Sequence, residues 1–199
     1  MTTATAISSK IYSVEEYFAL EENSDIKHEF VNGKIIVMPG ESKQANLIAS
    51  NCNRLLFNAL DNKGFFIYQN DVRTIVREGK IYRYPDVVVA PDTDNSDTHN
   101  IKEPVLLIEV TSDNSSKTDH DDKLKEYNSI TSVQYYLIIS QYEMMVEVYS
   151  RQSKGWHYDI YTEGSEILLL PKLQTQLSLN DMYYKVKFAE NISDIESEI

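Results

Sequence analysis

One carboxylate constrains this chain more than any other residue. Glu109 stands inside an apolar run, Val105-Leu-Leu-Ile108 before it and Val110 after it. Such a run reads as a strand buried on both faces. A lone ionised carboxylate there costs several kcal/mol unless it is paired or coordinates a metal. The fold must therefore give Glu109 a partner, or end the strand there and leave it exposed or salt-bridged. Asp86 raises the same question. It follows Pro85 and opens a second short apolar run, Val87-Val-Val-Ala90. A Pro-Asp step alone signals only a turn. Two acids on neighbouring core strands, however, bring carboxylate oxygens close together, and oxygen-only ligation suits magnesium or manganese.

The surrounding text predicts an α/β fold. Ser13-Val-Glu-Glu16 spells a capping box opening a short helix through about Glu22. Asn32-Gly33, between the β-prone runs His28–Val31 and Lys34–Met38, is a strong hairpin signal. Ser42 can cap a longer helix in which Ala45, Ile48, Cys52, Leu55, Leu56 and Ala59 recur at helical spacing, with Gly64 ending it. Val72, Thr74 and Val76 alternate with Asp71, Arg73 and Arg77, as in a half-exposed strand. Asp92 to Lys102 is a polar loop. It resembles a calcium loop but has Asp97 where glycine is required and Pro104 where a helix should begin. Asp119 to roughly Ser129 reads as a helix, Val133 to Ile139 as a third apolar strand, and Met144 to Tyr161 as a hairpin. These elements predict a central mixed β-sheet flanked by helices in a single domain over 11–188. Residues 1–10 are expected to be disordered, and 189–199 to form an acidic flexible tail.

In the helix after the Glu109 strand, Asp119, Lys123 and Tyr127 are spaced by four and share one face. An ordinary surface Asp-to-Lys pair explains that spacing. The same helix could also return Lys123 to the two acids, where an ammonium would offset charge on a phosphate.

Taken together, several segments resemble a known family: Tyr12-Ser-Val-Glu-Glu-Tyr17, His28-Glu-Phe-Val-Asn-Gly33, Tyr84-Pro-Asp-Val-Val88, Leu107-Ile-Glu-Val-Thr-Ser112 and Asp119-His-Asp-Asp-Lys-Leu-Lys-Glu-Tyr127. In order and spacing they are similar to the Uma-type bacterial restriction-endonuclease-like domains of the PD-(D/E)XK nuclease superfamily. The resemblance covers roughly residues 12 to 140. It implies a restriction-endonuclease-like fold and a Mg²⁺- or Mn²⁺-dependent endonuclease acting on nucleic acid, with DNA favoured over RNA and the choice left open by the sequence. By the same resemblance, Asp86 and Glu109 are the metal ligands, Lys123 the catalytic lysine and Glu29 an auxiliary catalytic acid. The common superfamily pattern puts a lysine two residues after the second acid. Here that residue is Thr111, and in this branch the lysine comes from the helix. Many relatives also carry a histidine early in the long helix, where this chain has Gln44-Ala-Asn46. Superfamily nucleases often pair to cut both strands, so a homodimer is expected.

Composition limits these readings. The chain is acidic, 31 acids against 19 bases for a net charge of -12. Phosphate binding relies on Lys and Arg replacing counterions. A nuclease of this composition needs a local basic groove, drawn from Lys27, Lys34, Lys43 or Arg73, or a metal. The alternative is a catalytically inactive nuclease-fold domain serving interaction or assembly. The single cysteine, Cys52, excludes an internal disulfide and a zinc knuckle. The chain shows no apolar run of membrane-spanning length and no signal peptide, so a cytoplasmic protein is expected. His120 is expected to face solvent.

Overall fold

The computed structural model describes residues 10–92, 97–111 and 119–188, and of Asp119 the backbone only. The acidic tail and nearly all of the N-terminal segment expected to be disordered lie outside these residues.

The predicted capping box is present. Ser13 Oγ accepts the Glu16 N–H and the Glu16 side chain accepts the Ser13 N–H, starting α1 (Val14–Glu22). A hairpin of β1 (His28–Val31) and β2 (Lys34–Val37) follows. Its turn residues Asn32 and Gly33 take φ of 50° and 86°, the left-handed pair that a two-residue turn of this hand requires. A Cβ on Gly33 would also lie 2.6 Å from the Ile11 side chain, because the segment before α1 docks on the turn. The long helix α2 (Lys43–Leu60) is capped by Ser42, whose Oγ accepts the Ala45 N–H. Its buried face is Ala45, Ile48, Ala49, Cys52, Leu56 and Leu60, while Leu55 and Ala59 are only half-buried.

Next come β3 (Phe65–Gln69), β4 (Arg73–Arg77), β5 (Ile81–Arg83), β6 (Val87–Pro91), β7 (Asn100–Ile101) and β8 (Leu106–Thr111). A π turn (Asp119–Lys123) leads into α3 (Leu124–Ser129). The chain continues through β9 (Tyr135–Ser140), β10 (Val146–Arg151), β11 (Trp156–Tyr161), β12 (Ile167–Leu170), β13 (Thr175–Ser178) and α4 (Leu179–Met182).

The sequence suggests one central sheet, but the described strands divide between two larger sheets and a hairpin. One sheet has six strands in the order β11-β10-β9-β8-β6-β3, mixed because β8 and β9 run parallel. The other has five strands, β2-β1-β5-β4-β7, and β12-β13 is the hairpin. The expected alternation in β4 fails locally. Thr74 and Ile75 are both buried, since the pairing with β5 shifts between Ile75 and Arg77 as a bulge.

The six-stranded sheet is covered on both faces. Val87, Val89, Leu106, Ile108, Leu137 and Ile139 pack with α2, β12-β13 and α4. Val88, Leu107, Tyr136 and Ile138 pack with Tyr127 of α3. A third cluster, Tyr17, Phe30, Ile35, Ile75 and Tyr82, seats α1 on the five-stranded sheet.

Candidate active site

Glu109 lies in β8 with only 5% of its surface exposed, and its side chain falls on the α3 face of the sheet. Two partners from the crossover segment meet it. Tyr127 donates its hydroxyl to Oε1 at 2.7 Å, and Lys123 Nζ lies 2.9 Å from Oε2. The buried carboxylate is therefore paired, as its setting demands. The expected four-residue spacing is only partly realised, because the chain from Asp119 to Lys123 is a π turn and regular helix starts at Leu124. Lys123 and Tyr127 still converge on one acid.

Glu29, on β1, belongs to the same network. Its Oε1 lies 3.7 Å from Lys123 Nζ, and its Oε2 accepts Arg83 Nη1 at 2.6 Å. Burial pushes its carboxyl up, but the charges of Lys123 and Arg83 outweigh burial and hold it below the ordinary carboxylate range. Among the described residues, Glu29 Oε1 has no hydrogen-bond partner although it is fully enclosed. Arg83 turns its remaining donors to Glu126 of α3, Nε at 2.8 Å and Nη2 at 2.9 Å, a bidentate fork. Tyr127 is held far above its usual titration range by burial first, then by the charges of Glu109 and Glu29. Three carboxylates thus face two cations in one buried network, leaving an excess of one negative charge.

Asp86 immediately precedes β6. The pairing of β6 with β8 ends at Val87↔Ile108, so Asp86 and Glu109 each stand one residue from its last pair. Asp86 Oδ2 accepts the Val110 N–H at 2.6 Å, tying it to the residue after Glu109. Asp86 also lines a cleft of about 820 Å³. The cleft is walled by the residues before β1, the β2–α2 loop, the first turns of α2 and the β3–β4 turn. Tyr84, on the same wall, donates its hydroxyl to Glu21 at 2.7 Å, and His28 Nδ1 meets the other Glu21 oxygen at 2.7 Å.

The four cations that could have formed a basic groove do not line this cleft together. Lys27 and Lys43 line it, but so do Asp25, Glu41, Asp71 and Asp86. Arg73 lies instead over the rings of Phe18 and Tyr17, at 4.8 and 5.8 Å, and Lys34 is exposed at the start of β2. The cleft is acidic, so a polyanion entering it needs added cations.

Some contributors carry little signal in the sequence. Arg83 sits in the short strand Ile81-Tyr-Arg, where the nearby Pro-Asp draws the eye away from it. Its one clue is a cation flanked by residues that read as buried. His120 departs from the expected solvent-facing position. Its ring is about one-third exposed and its Nε2 lies 2.5 Å from Glu147 Oε1 on β10. Glu147 pairs across the sheet with Ile138, which also pairs with Glu109, so both buried acids occupy one row of one face. Gln141 donates to the Thr111 carbonyl and accepts from Ser42, linking the end of β8 to the cap of α2. Thr111, where the superfamily usually places its lysine, is buried.

The profile of the family Uma2, described as "Putative restriction endonuclease", matches residues 14–181. The chain belongs to the Uma2 family. Two relatives come from Synechocystis sp. (strain ATCC 27184 / PCC 6803 / Kazusa). The uncharacterized protein sll1609 is 34% identical over 148 residues, 72% of this chain and 83% of its own length. The uncharacterized protein slr1290 is 28% identical over 177 residues, 88% of this chain and 93% of its own. A crystal structure described as a "putative nuclease belonging to DUF820", from Anabaena variabilis ATCC 29413, superposes with a TM-score of 0.71 at 19% identity. The match covers 86% of this chain and 97% of that one. The Uma2 chain thus has the restriction-endonuclease-like α/β fold that its motifs imply. No helix among its described residues is long and apolar enough to cross a membrane.

Proposed function

We propose that the chain is a Mg²⁺- or Mn²⁺-dependent endonuclease hydrolysing DNA phosphodiester bonds in the cytoplasm. Asp86 and Glu109 act as metal ligands, Lys123 as the catalytic lysine and Glu29 as an auxiliary acid. The observation that carries this reading is the ammonium of Lys123, 2.9 Å from Glu109, beside the strand end where Asp86 stands. On this reading Lys123, from the crossover segment, takes the place of the lysine absent from position 111.

The donor chemistry suits a hard divalent cation. Glu109 and Glu29 belong to a buried network with a formal excess of one negative charge, and Asp86 is tied to Val110, the residue after Glu109. Among the described residues, no group of three or more His, Cys, Asp or Glu side chains is disposed to hold a metal ion. On this reading Asp86 and Glu109 would be the protein's share, as magnesium often takes one or two carboxylates with water and substrate phosphate as its other ligands. A bound divalent ion lowers the pKa of its water and offsets charge on the scissile phosphate. Lys123 would orient that phosphate and share its developing charge. Glu29 and Tyr127 hold Lys123 and Glu109 in place. The cleft beside Asp86 would admit the DNA strand, and a homodimer would present one centre to each strand of a duplex.

One observation favours a second reading, an inactive nuclease-fold interaction module: the cleft carries more acids than bases. Plasmid cleavage separates the two. Nicking that needs Mg²⁺ or Mn²⁺, stops with chelator and disappears in Asp86→Ala supports the nuclease. Intact plasmid across metals, salt and single-stranded or duplex substrates supports the module.

A further inference from the structure

The segment carrying Lys123 does not set its own register. Its first five residues form a π turn, less favourable than an α turn, and Lys123 opens α3 without a side-chain cap. Its direction must be imposed by contacts from outside. Glu147 holds His120, Glu109 holds Lys123 and Tyr127, and Arg83 holds Glu126. The first two acids belong to the six-stranded sheet beneath the segment. Arg83 reaches it from the other sheet.

We propose that Arg83 is the positioning residue of this centre. By forking between Glu29 on β1 and Glu126 on α3, it fixes the segment and aims the Lys123 ammonium at Glu109. This rests on reading Lys123 as the catalytic lysine. Two features carry it. The guanidinium is 2% exposed, with three hydrogen bonds between 2.6 and 2.9 Å to carboxylates on two different elements. A planar fork makes that span, and a lysine's point charge does not. The second feature is competition for Lys123, which lies between Glu109 at 2.9 Å and Glu29 at 3.7 Å. Arg83 occupies the other Glu29 oxygen and reduces that acid's pull, leaving Lys123 seated on Glu109. With Arg83 gone, Glu29 draws the ammonium away and α3 loses its tie to the five-stranded sheet.

The first test needs no cleavage. Native lysines are acylated with a water-soluble amine reagent and read by mass spectrometry. In the wild type, buried Lys123 reacts slowly beside exposed Lys34 and Lys154. Arg83→Lys is expected to raise Lys123 labelling about tenfold, since charged hydrogen bonds of this kind are lost. The milder Glu126→Gln, which keeps the amide in the fork, is expected to raise it less, with the other lysines unchanged in both. No rise at Lys123 in either variant overturns the proposal, as does an equal rise at every lysine, which would mean general loosening. The second test is plasmid cleavage by the same variants. Arg83→Lys should lower kcat about tenfold, leave KM within about twofold, and add nothing once Lys123→Met is present, because it acts through Lys123. Independent, multiplicative losses overturn it. If the wild type does not cleave, the nuclease reading falls and the labelling result alone decides the role of Arg83.

Discussion

The two faces of the six-stranded sheet solve burial in opposite ways. On the α2 face the enclosed side chains are almost all apolar, and Cys52 behaves as one of them. Burial first, then the nearby charge of Asp86, pushes its thiol up to about 12, where it is inert at neutral pH. On the α3 face, Glu109, Glu147 and Lys123 are equally enclosed but charged, with Arg83 and Glu29 behind them. The apolar face contributes stability through area removed from water. Desolvating charges is costly even when they are paired, so the α3 face adds little net stability for its size. Such a network fixes side-chain positions, and the proposed chemistry needs those positions. Substitutions on the two faces should therefore separate activity from stability.

The largest separation is expected at Asp86→Asn. The amide oxygen can still accept the Val110 N–H, so the strand end is preserved. Loss of the charge should reduce metal-dependent cleavage about a hundredfold or more, with a melting temperature close to wild type. A parallel fall in both would place Asp86 with the structural residues.

Glu29→Gln comes next. At neutral pH it removes the buried counter-charge that Arg83 and Lys123 share, leaving them Glu126 and Glu109, and breaking that part of the network costs up to about 3–5 kcal/mol. The pH dependence has a definite sign. The folded carboxyl titrates below its ordinary 4.5, so its stabilising contribution is complete above that pH and is lost as pH falls through the folded value. Denaturation midpoints for wild type and variant should therefore converge below about pH 4.5. A constant gap down to strongly acid conditions would show that Glu29 is not ionised in the native state.

Leu56→Ala is the counterpart on the dry face. Leu56 is fully enclosed in the cluster under α2, and truncation should cost about 2–5 kcal/mol in unfolding free energy. Cleavage per folded molecule should be unchanged. A kcat loss without unfolding would show that the two faces are mechanically coupled.

The same contrast explains what the sequence disclosed. Periodicity and caps report apolar burial and local turns, so α1, the Asn32-Gly33 hairpin, α2 and the strands around Val88 and Leu107 were legible. So was the oddity of Glu109, because a carboxylate in an apolar run violates the local pattern. Of its partners, Lys123 was legible as a helix lysine that could return to the acids, whereas the Tyr127 hydroxyl and the Arg83 fork behind them were not. Lys123 and Tyr127 are 14 and 18 residues away with a π turn between, and Arg83 meets Glu29 across 54 residues. No local propensity encodes such pairings. Whether the cations would gather into a basic groove could not be read for a related reason. Arg73 looked available as a strand cation, yet it is drawn over the Phe18 and Tyr17 rings, contacts that exist only once α1 packs on the sheet. The division into two sheets was also hidden, since strand order depends on long-range pairing.

The smallest expected effect bears on the contrast most directly. Tyr127→Phe keeps the ring that meets Tyr136 edge-on at 5.0 Å and removes only the hydroxyl that donates to Glu109 at 2.7 Å. On an apolar face, deleting one oxygen would be nearly neutral. Here it removes a charge-assisted hydrogen bond to a buried carboxylate, and the expected cost is about 1.5–3 kcal/mol. Lys123 still pairs with the other oxygen of Glu109, so the acid is not stranded and the loss should stay within that range. Chemical denaturation measures it, with an unchanged m-value showing that the same surface unfolds. A cost near zero would mean that Lys123 alone satisfies Glu109, with the tyrosine acting there only as packing.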